Sequence, residues 1–189
     1  MISVRDLPNI LTVARMLLVG PLVYMLLTER YVAALVLALV AGISDWLDGA
    51  LARRFNWQSQ FGGILDPLAD KLLMLASYAT LTWLDALPVW LLALVVARDL
   101  IIVAGGMVYH YWFESFQAQP TQLSKYNTLC QLVLVWVVLT TLAGLPVPQW
   151  LSVALVWLVA LMAVATLVQY VFKWGRRAVR IAHTRDLSR

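Results

Sequence analysis

Two short stretches decide how this chain is interpreted: residues 45–53, which read DWLDGALAR, and residues 62–70, which read GGILDPLAD. Together they hold four of the ten acidic residues in a chain of 189. Asp45 and Asp48 are three residues apart, and Asp66 and Asp70 are four apart, so each pair lies on one face of a helix. Carboxylates within apolar segments are costly, and they therefore indicate a functional site.

The composition around these stretches is that of an integral membrane protein. The chain is 62% hydrophobic and only 13% charged, with a mean hydropathy of +0.81. Soluble domains carry roughly 25% charged residues. We therefore expect an all-α, polytopic membrane protein in which residues 1–189 form a single domain. The basic residues form no compact patch away from the apolar segments, so a nucleic-acid partner is not expected.

Apolar runs of about 20 residues cross a bilayer as helices. The chain has six such runs, separated by short polar or proline-containing breaks: 10–28, 31–53, 60–84, 88–112, 123–143 and 148–174. We expect six transmembrane helices in one bundle, preceded by a short interfacial segment at residues 3–8 in which Pro8 starts or bends a helix. No cleavable signal sequence is recognisable, so the first helix is expected to remain as an anchor.

The basic residues predict the topology. With six spans both termini lie on one side, together with the 53–60 and 114–122 loops. Ten basic residues would lie on that side: Arg5, Arg53, Arg54, Lys125, Lys173, Arg176, Arg177, Arg180, Arg185 and Arg189. The opposite loops carry only Arg30, so we expect both termini and the aspartates to be cytoplasmic. The basic tail, residues 173–189, either contacts anionic headgroups or is a plain topology anchor.

No organelle-targeting segment is evident, which favours a bacterial cytoplasmic membrane.

The four aspartates are expected to converge, because they lie on consecutive helices joined by a short loop. Converging carboxylates repel one another unless cations neutralise them, and all-oxygen ligands suit Mg²⁺ or Mn²⁺. Two such ions are the usual arrangement in phosphate chemistry. In the alternative interpretation, Arg53, Arg54 and Lys71 form structural ion pairs with the aspartates. That alternative leaves the small residues Gly49 and Ala52 unexplained.

The order Asp-x2-Asp-Gly-x2-Ala-Arg-x8-Gly-x3-Asp-x3-Asp, residues 45–70, resembles the signature of the CDP-alcohol phosphotransferases at every motif position. The opening residues 7–15, LPNILTVAR, and the six-helix layout extend the resemblance over most of the chain. The resemblance implies transfer of a phosphatidyl or similar group from a CDP-linked donor to an alcohol, with release of CMP. It also implies a homodimer.

The resemblance further implies roles for the motif residues. Two divalent ions would be held by Asp45, Asp48 and Asp66. Asp70 would be the general base and would also contact a metal ion. The pocket for the CDP-lipid would be lined by Gly49, Ala52, Arg53 and Gly62.

Two later segments bear on which alcohol is the acceptor. Residues 96–102, VARDLII, and 123–131, LSKYNTLCQ, are similar to cardiolipin synthases of this family. Phosphatidylglycerophosphate synthases tend to carry a second arginine after the first segment and Lys-x-Lys-Thr in the second. Here Gly105 and Gly106 occupy the first position, and Asn127 replaces the second lysine. The loss of two cations fits phosphatidylglycerol better than glycerol 3-phosphate, which carries more negative charge.

Three cations remain as candidate phosphate ligands. Arg98 and Lys125 are expected to hold the phosphate of the acceptor, since cations in or beside apolar helices usually have functional partners. The alternatives are a local pairing of Arg98 with Asp99 and an interfacial anchor at Lys125. Arg15 either neutralises a phosphate at the site or extends to the interface.

Two other classes compete with a transferase. An ion-coupled transporter would carry acidic residues across the full membrane depth, and often inverted repeats, whereas these aspartates cluster at one side. A non-catalytic scaffold would retain the metal site without turnover. The favoured reaction converts CDP-diacylglycerol and phosphatidylglycerol to cardiolipin and CMP. The alternative enzyme is a phosphatidylglycerophosphate synthase.

Overall fold

The computed structural model describes residues 7–55, 62–113 and 121–186, with side chains described at 12–44, 68–105 and 121–172. Within these residues the chain is all-helical, which confirms the predicted fold class. The six helices are α1 (Leu7–Leu27), α2 (Tyr31–Phe55), α3 (Gly62–Trp83), α4 (Val89–Phe113), α5 (Gln122–Leu142) and α6 (Gln149–Asp186). The predicted boundaries agree to within three residues at every helix end except the last. Pro8 lies in the first turn of α1, where its missing N–H costs no hydrogen bond.

Helix α6 is longer than the hydropathy predicts. The apolar run ends near residue 174, yet the helix continues to Asp186 and is 38 residues long. The prediction of its end was wrong because arginine, lysine and alanine are good helix formers and no proline interrupts residues 173–186. At ~1.5 Å per residue, α6 is about 57 Å long, well beyond the ~30 Å hydrocarbon core of a bilayer.

Two helices are long and apolar enough, in their described side chains, to cross a membrane. They are Gln122–Leu142, with a mean hydropathy of 1.3, and Gln149–Phe172, with a mean hydropathy of 2.6. The described apolar parts of α1 and α2, Thr12–Leu27 and Tyr31–Ser44, are shorter. Six membrane spans therefore remain a prediction, and residues 3–6 of the expected interfacial segment lie outside the described residues.

The chain forms two compact units, and the first contains Met1–Pro88 and Val135–Gln149. In this unit α1 packs against both α2 and α3. Helix α1 buries Leu22 and Leu26, and α2 buries Ala34 and Ala41, which are seven residues apart and so lie on one face. Small residues on this face of α2 allow neighbouring helices to approach closely.

The second unit contains Val89–Leu134 and Trp150–Arg189, that is α4, the first part of α5, and nearly all of α6. Its apolar core includes Leu91 of α4, Leu134 of α5, and Val159 and Ala163 of α6. The rings of Trp90 and Trp157 lie 5.4 Å apart between centroids and add an aromatic contact within this unit. Its interior also contains polar side chains, among them Arg98, Asn127 and Thr166.

Helices α1, α3 and α5 end in the same hydrogen-bonded turn. In each turn one N–H donates to the carbonyl five residues earlier, as from Arg30 to Met25 at 2.8 Å. The preceding N–H donates three residues back, which completes a Schellman motif. The residue with positive φ is Glu29 (58°) after α1, Asp85 (56°) after α3 and Gly144 (80°) after α5.

Substitution by alanine is expected to change stability in opposite directions at Gly144, in the turn after α5, and at Gly42, inside α2. Gly144→Ala places a side chain at a φ of 80° and should destabilise the protein by about 1 kcal/mol. Gly42→Ala is the matched control, since Gly42 lies within α2 and should gain about 0.5–1 kcal/mol of stability. An added Cβ meets no atom within 4 Å at either position, so sterics do not confound the comparison. Unfolding in detergent micelles measures both, and a gain of stability for Gly144→Ala would contradict the prediction.

Candidate functional site

The acidic motif lies on two helices of the first unit. Asp45 and Asp48 belong to α2, and Asp66 and Asp70 belong to α3, so both pairs have the helical spacing that the sequence predicts. Only the side chain of Asp70 falls within the described side chains. The remaining motif side chains lie outside them, namely those of Asp45, Asp48, Gly49, Ala52, Arg53, Gly62 and Asp66. Their predicted roles therefore stay predictions.

Asp70 is ion-paired with an arginine from another helix. The Nη1 atom of Arg15, on α1, donates to Oδ1 of Asp70, on α3, at 2.8 Å. The side chain of Arg15 is only 2% exposed, whereas that of Asp70 is 52% exposed. The guanidinium is thus enclosed by the protein, while the carboxylate remains accessible.

This pairing bears on the two alternatives that the sequence leaves open for Arg15. A guanidinium that extends to the interface would be exposed, but that of Arg15 is buried and faces Asp70. Thr12, one turn earlier on α1, is also fully buried on this face. Arg15 therefore contacts the acidic motif through Asp70, and its part in phosphate binding stays a prediction.

The short connection between α1 and α2 places Asp45 at about the same depth along the helices as Arg15. Helices α1 and α2 are in contact and are joined by residues 28–30, so they run antiparallel. Arg15 lies twelve residues before the end of α1, and Asp45 lies fourteen residues after the start of α2. At ~1.5 Å per residue, these two positions differ in depth by about 3 Å. A similar depth is one condition for the convergence of the acidic pairs, which itself stays a prediction.

The donor chemistry of the motif fits divalent cations. Carboxylate oxygens are the ligands that Mg²⁺ and Mn²⁺ prefer. No group of three or more His, Cys, Asp or Glu side chains comes together among the described side chains, but three of the four aspartates lie outside them. Asp70, as the described member, has the accessible carboxylate that a metal or substrate contact needs.

Arg98 lies in the second unit and is held by three side chains. It is 3% exposed, and its Nε donates to Oγ1 of Thr166 on α6 at 3.2 Å. Its two terminal nitrogens donate to Oδ1 of Asp99 and to Oγ of Ser124 on α5. The pairing with Asp99, which was the alternative to a phosphate-binding role, is present, and the guanidinium also joins α4 to α5 and α6.

The segment that bears Lys125 starts at a well-defined helix cap. The hydroxyl of Thr121 accepts the N–H of Ser124 at 3.2 Å, an N-cap interaction that satisfies one of the free donors at the start of α5. The N–H of Thr121 donates to the hydroxyl oxygen of Tyr170 on α6 at 3.4 Å. Lys125, in the first turn after the cap, is exposed.

Asn127 is buried without polar partners in the described structure. Its relative exposure is 0%, and neither Nδ2 nor Oδ1 has a hydrogen bond. An unpaired buried amide costs about 1–3 kcal/mol per group, so its presence calls for an explanation. Asn127 is also the residue that stands where phosphatidylglycerophosphate synthases tend to carry the second lysine of Lys-x-Lys-Thr.

The sequence analysis missed Thr166 and Tyr170 as members of this polar interior. Both lie within the highly apolar part of α6, and each bonds a residue near the start of α5 or on α4. The available signal was the polar group Thr166, Gln169 and Tyr170 inside a run of mean hydropathy 2.6. Buried polar groups in such runs need partners, which marks them as interior positions.

Known proteins similar to this chain include two cardiolipin synthases and a phosphatidyltransferase named for a different acceptor. A probable cardiolipin synthase (CMP-forming) of Drosophila melanogaster is 38% identical, over 69% of this chain and 45% of the relative. The human cardiolipin synthase (CMP-forming) is 34% identical, over 68% of this chain and 48% of the relative. A CDP-diacylglycerol–glycerol-3-phosphate 3-phosphatidyltransferase of Aquifex aeolicus is 33% identical, over 66% of this chain and 70% of the relative.

The match to the two cardiolipin synthases thus covers less than half of their length. At the level of the family, the profile of the CDP-alcohol phosphatidyltransferases matches residues 5–175, which include the acidic motif and every described helix at least in part. The complete motif, its two helices and this match lead to one conclusion: the chain belongs to the CDP-alcohol phosphatidyltransferase family.

Proposed function

We propose that this protein transfers the phosphatidyl group of CDP-diacylglycerol to phosphatidylglycerol, which yields cardiolipin and CMP. The observation that carries the proposal is the complete acidic motif on α2 and α3, in a chain that belongs to this family. Two relatives named as cardiolipin synthases, at 38% and 34% identity, support the choice of acceptor.

Asp70 is the general base in this proposal. Its accessible carboxylate takes the proton from the acceptor hydroxyl, whose oxygen then attacks the phosphorus that bears the diacylglycerol group. The new P–O bond forms as the bond to the CMP oxygen breaks, and CMP leaves with the electron pair. The proton passes from Asp70 to solvent. No covalent intermediate on the enzyme is needed.

Two divalent cations, Mg²⁺ or Mn²⁺, are proposed to be held by Asp45, Asp48, Asp66 and Asp70. When bound, they would neutralise charge on the pyrophosphate of the donor. Members of the family generally use divalent metal ions. The pocket for the CDP-lipid is proposed to be lined by Gly49, Ala52, Arg53 and Gly62. Gly49 and Ala52 leave room beside the aspartates, and Arg53 has the planar guanidinium suited to phosphate.

The phosphate of the acceptor is proposed to be bound by Lys125, with Arg98 in support. Lys125 is exposed at the capped start of α5 and is available to an anionic headgroup. Arg98 already donates to three side chains, so it orients Ser124 on α5 and would have to give up one of these bonds to reach a ligand.

Glycerol 3-phosphate is the second candidate acceptor. The relative from Aquifex aeolicus, whose name specifies that acceptor, is 33% identical and is matched over 70% of its length. Asn127 argues against it, because a smaller positive charge on α5 suits phosphatidylglycerol, whose single phosphodiester carries less negative charge than a phosphomonoester.

The membrane arrangement is part of the same proposal. We propose six spans in a bacterial cytoplasmic membrane, with both termini and the acidic motif on the cytoplasmic side, and a homodimer as the active form. The apolar α5 and α6 and the strong asymmetry of the basic residues support this arrangement.

The acceptor is tested with purified protein and labelled CDP-diacylglycerol. Phosphatidylglycerol and glycerol 3-phosphate are supplied separately, with Mg²⁺ or Mn²⁺, and CMP release is measured. We expect turnover with phosphatidylglycerol and its loss on chelation of the metal. Release only with glycerol 3-phosphate would reject the cardiolipin assignment, and no release with either would reject the transferase.

Asp70→Asn is expected to lower kcat by about 10²–10⁴-fold, because it removes the base while keeping the size of the side chain. Binding of CDP-diacylglycerol should persist, as measured by the retention of a labelled donor. Asp85→Asn, the same change in the exposed turn after α3, is the matched control and should leave kcat unchanged. Normal turnover of Asp70→Asn would remove Asp70 as the base.

Asn127→Leu tests whether the buried amide serves the acceptor. An apolar side chain of similar volume removes two unpaired polar groups, so thermal stability should be unchanged or higher. Turnover with phosphatidylglycerol should nevertheless fall. Thr166→Val is the control, because it removes a hydroxyl that does have partners and should lower stability. Full turnover of Asn127→Leu would show that the amide has no part in catalysis.

A further inference from the structure

The ion pair between Arg15 and Asp70 is asymmetric in its exposure. The guanidinium is 2% exposed and the carboxylate 52% exposed, with 2.8 Å between Nη1 and Oδ1. A pair with both members in solvent would contribute little, since water and salt screen it and both side chains remain mobile. Here one member is enclosed and the other is not. The arginine is therefore the fixed partner, and the aspartate is the member that meets a ligand.

The surroundings of Arg15 explain why it is fixed. Thr12 and Leu22, both buried, lie on the same face of α1 one turn before and two turns after Arg15. A buried side chain retains little rotamer freedom, so the position of its Nη1 donor is set by the packing of α1. A short charge-assisted hydrogen bond from a fixed donor restricts the carboxylate that accepts it. Through this hydrogen bond, the packing of α1 against α3 determines the orientation of the Asp70 carboxylate.

We infer that Arg15 is a positioning residue for the catalytic base: it holds the carboxylate of Asp70 in the orientation that accepts the proton of the acceptor alcohol. The inference rests on the proposed function, in which Asp70 is that base. Arg15 acts through Asp70 and binds no phosphate of either substrate. It thus differs from both alternatives that the sequence leaves open, neutralisation of a phosphate and extension to the interface.

This role predicts a specific kinetic signature. A misplacement of about 1 Å in a catalytic group costs roughly 10²-fold in rate, whereas loss of a phosphate ligand raises KM. Arg15→Met keeps the length of the side chain and removes its charge and donors. We expect kcat to fall about tenfold or more, with the KM for CDP-diacylglycerol unchanged within about threefold. Arg15→Lys, which keeps one charged donor, should recover part of kcat.

Leu22→Ala separates positioning from general stability. It removes a buried side chain from the same face of α1, two turns away from Arg15. We expect a lower melting temperature and an unchanged kcat for the folded protein, which is isolated by size-exclusion chromatography before assay. Equal losses of kcat in Leu22→Ala and Arg15→Met would overturn the inference, because both would then report packing alone.

A double variant tests whether Arg15 acts through Asp70. In an Asp70→Asn background, Arg15→Met should change the residual turnover by less than about twofold, since a positioning residue has no base left to orient. If Arg15→Met lowers kcat by the same factor in both backgrounds, the inference is overturned. It is also overturned if the single variant Arg15→Met has a normal kcat, or if only its KM changes. The proposed function fails by a different result: Asp70→Asn with full turnover while Arg15 is intact.

Discussion

A guanidinium buried among apolar helices must meet a carboxylate or another acceptor, and this constraint organises the first unit. Arg15 on α1 meets it with Asp70 on α3, two positions 55 residues apart in the chain. The contact requires α1 to pack beside α3 with residues 15 and 70 at the same depth. Because α2 follows α1 through a three-residue turn, its own acidic pair falls near the same depth. The ion pair thus aligns α1 with α3, and the turn between α1 and α2 brings the third helix to a similar depth.

The second unit meets the same constraint in a different way. Arg98 is as deeply buried as Arg15, but its partners are a neighbouring carboxylate and two hydroxyls on α5 and α6. Several of its donors are therefore satisfied within the protein, which makes Arg98 a connector of helices. Asn127 is the contrasting case, since its amide has no partner in the described structure. The second unit thus contains a buried cation, Arg98, with several hydrogen bonds, and a buried amide, Asn127, without any in the described structure.

Much of the fold could be predicted from the sequence, because long apolar runs and the turn residues between them determine where helices begin and end. The exception was α6, since hydropathy marks where a helix leaves the apolar region and not where its hydrogen bonding stops. The acidic motif was recognisable from its local spacing. The partner of Arg15 was not, because it depends on which helices pack together, and the three side chains around Arg98 come from tertiary contacts of the same kind.

In the proposed arrangement of six membrane spans, the burial of Arg15 also has a consequence for how the chain enters the membrane. Arg15 is synthesised before Asp70, so in a co-translationally inserted protein α1 arrives at the translocon with a cation whose partner has not yet been made. An arginine at the centre of a helix costs about 2.5–3.5 kcal/mol on insertion scales. Helix α1 is therefore expected to stay beside the translocon, or at the interface, until α3 emerges and the two helices enter the lipid together. The order of biogenesis would then be set by the same pair that orients the site.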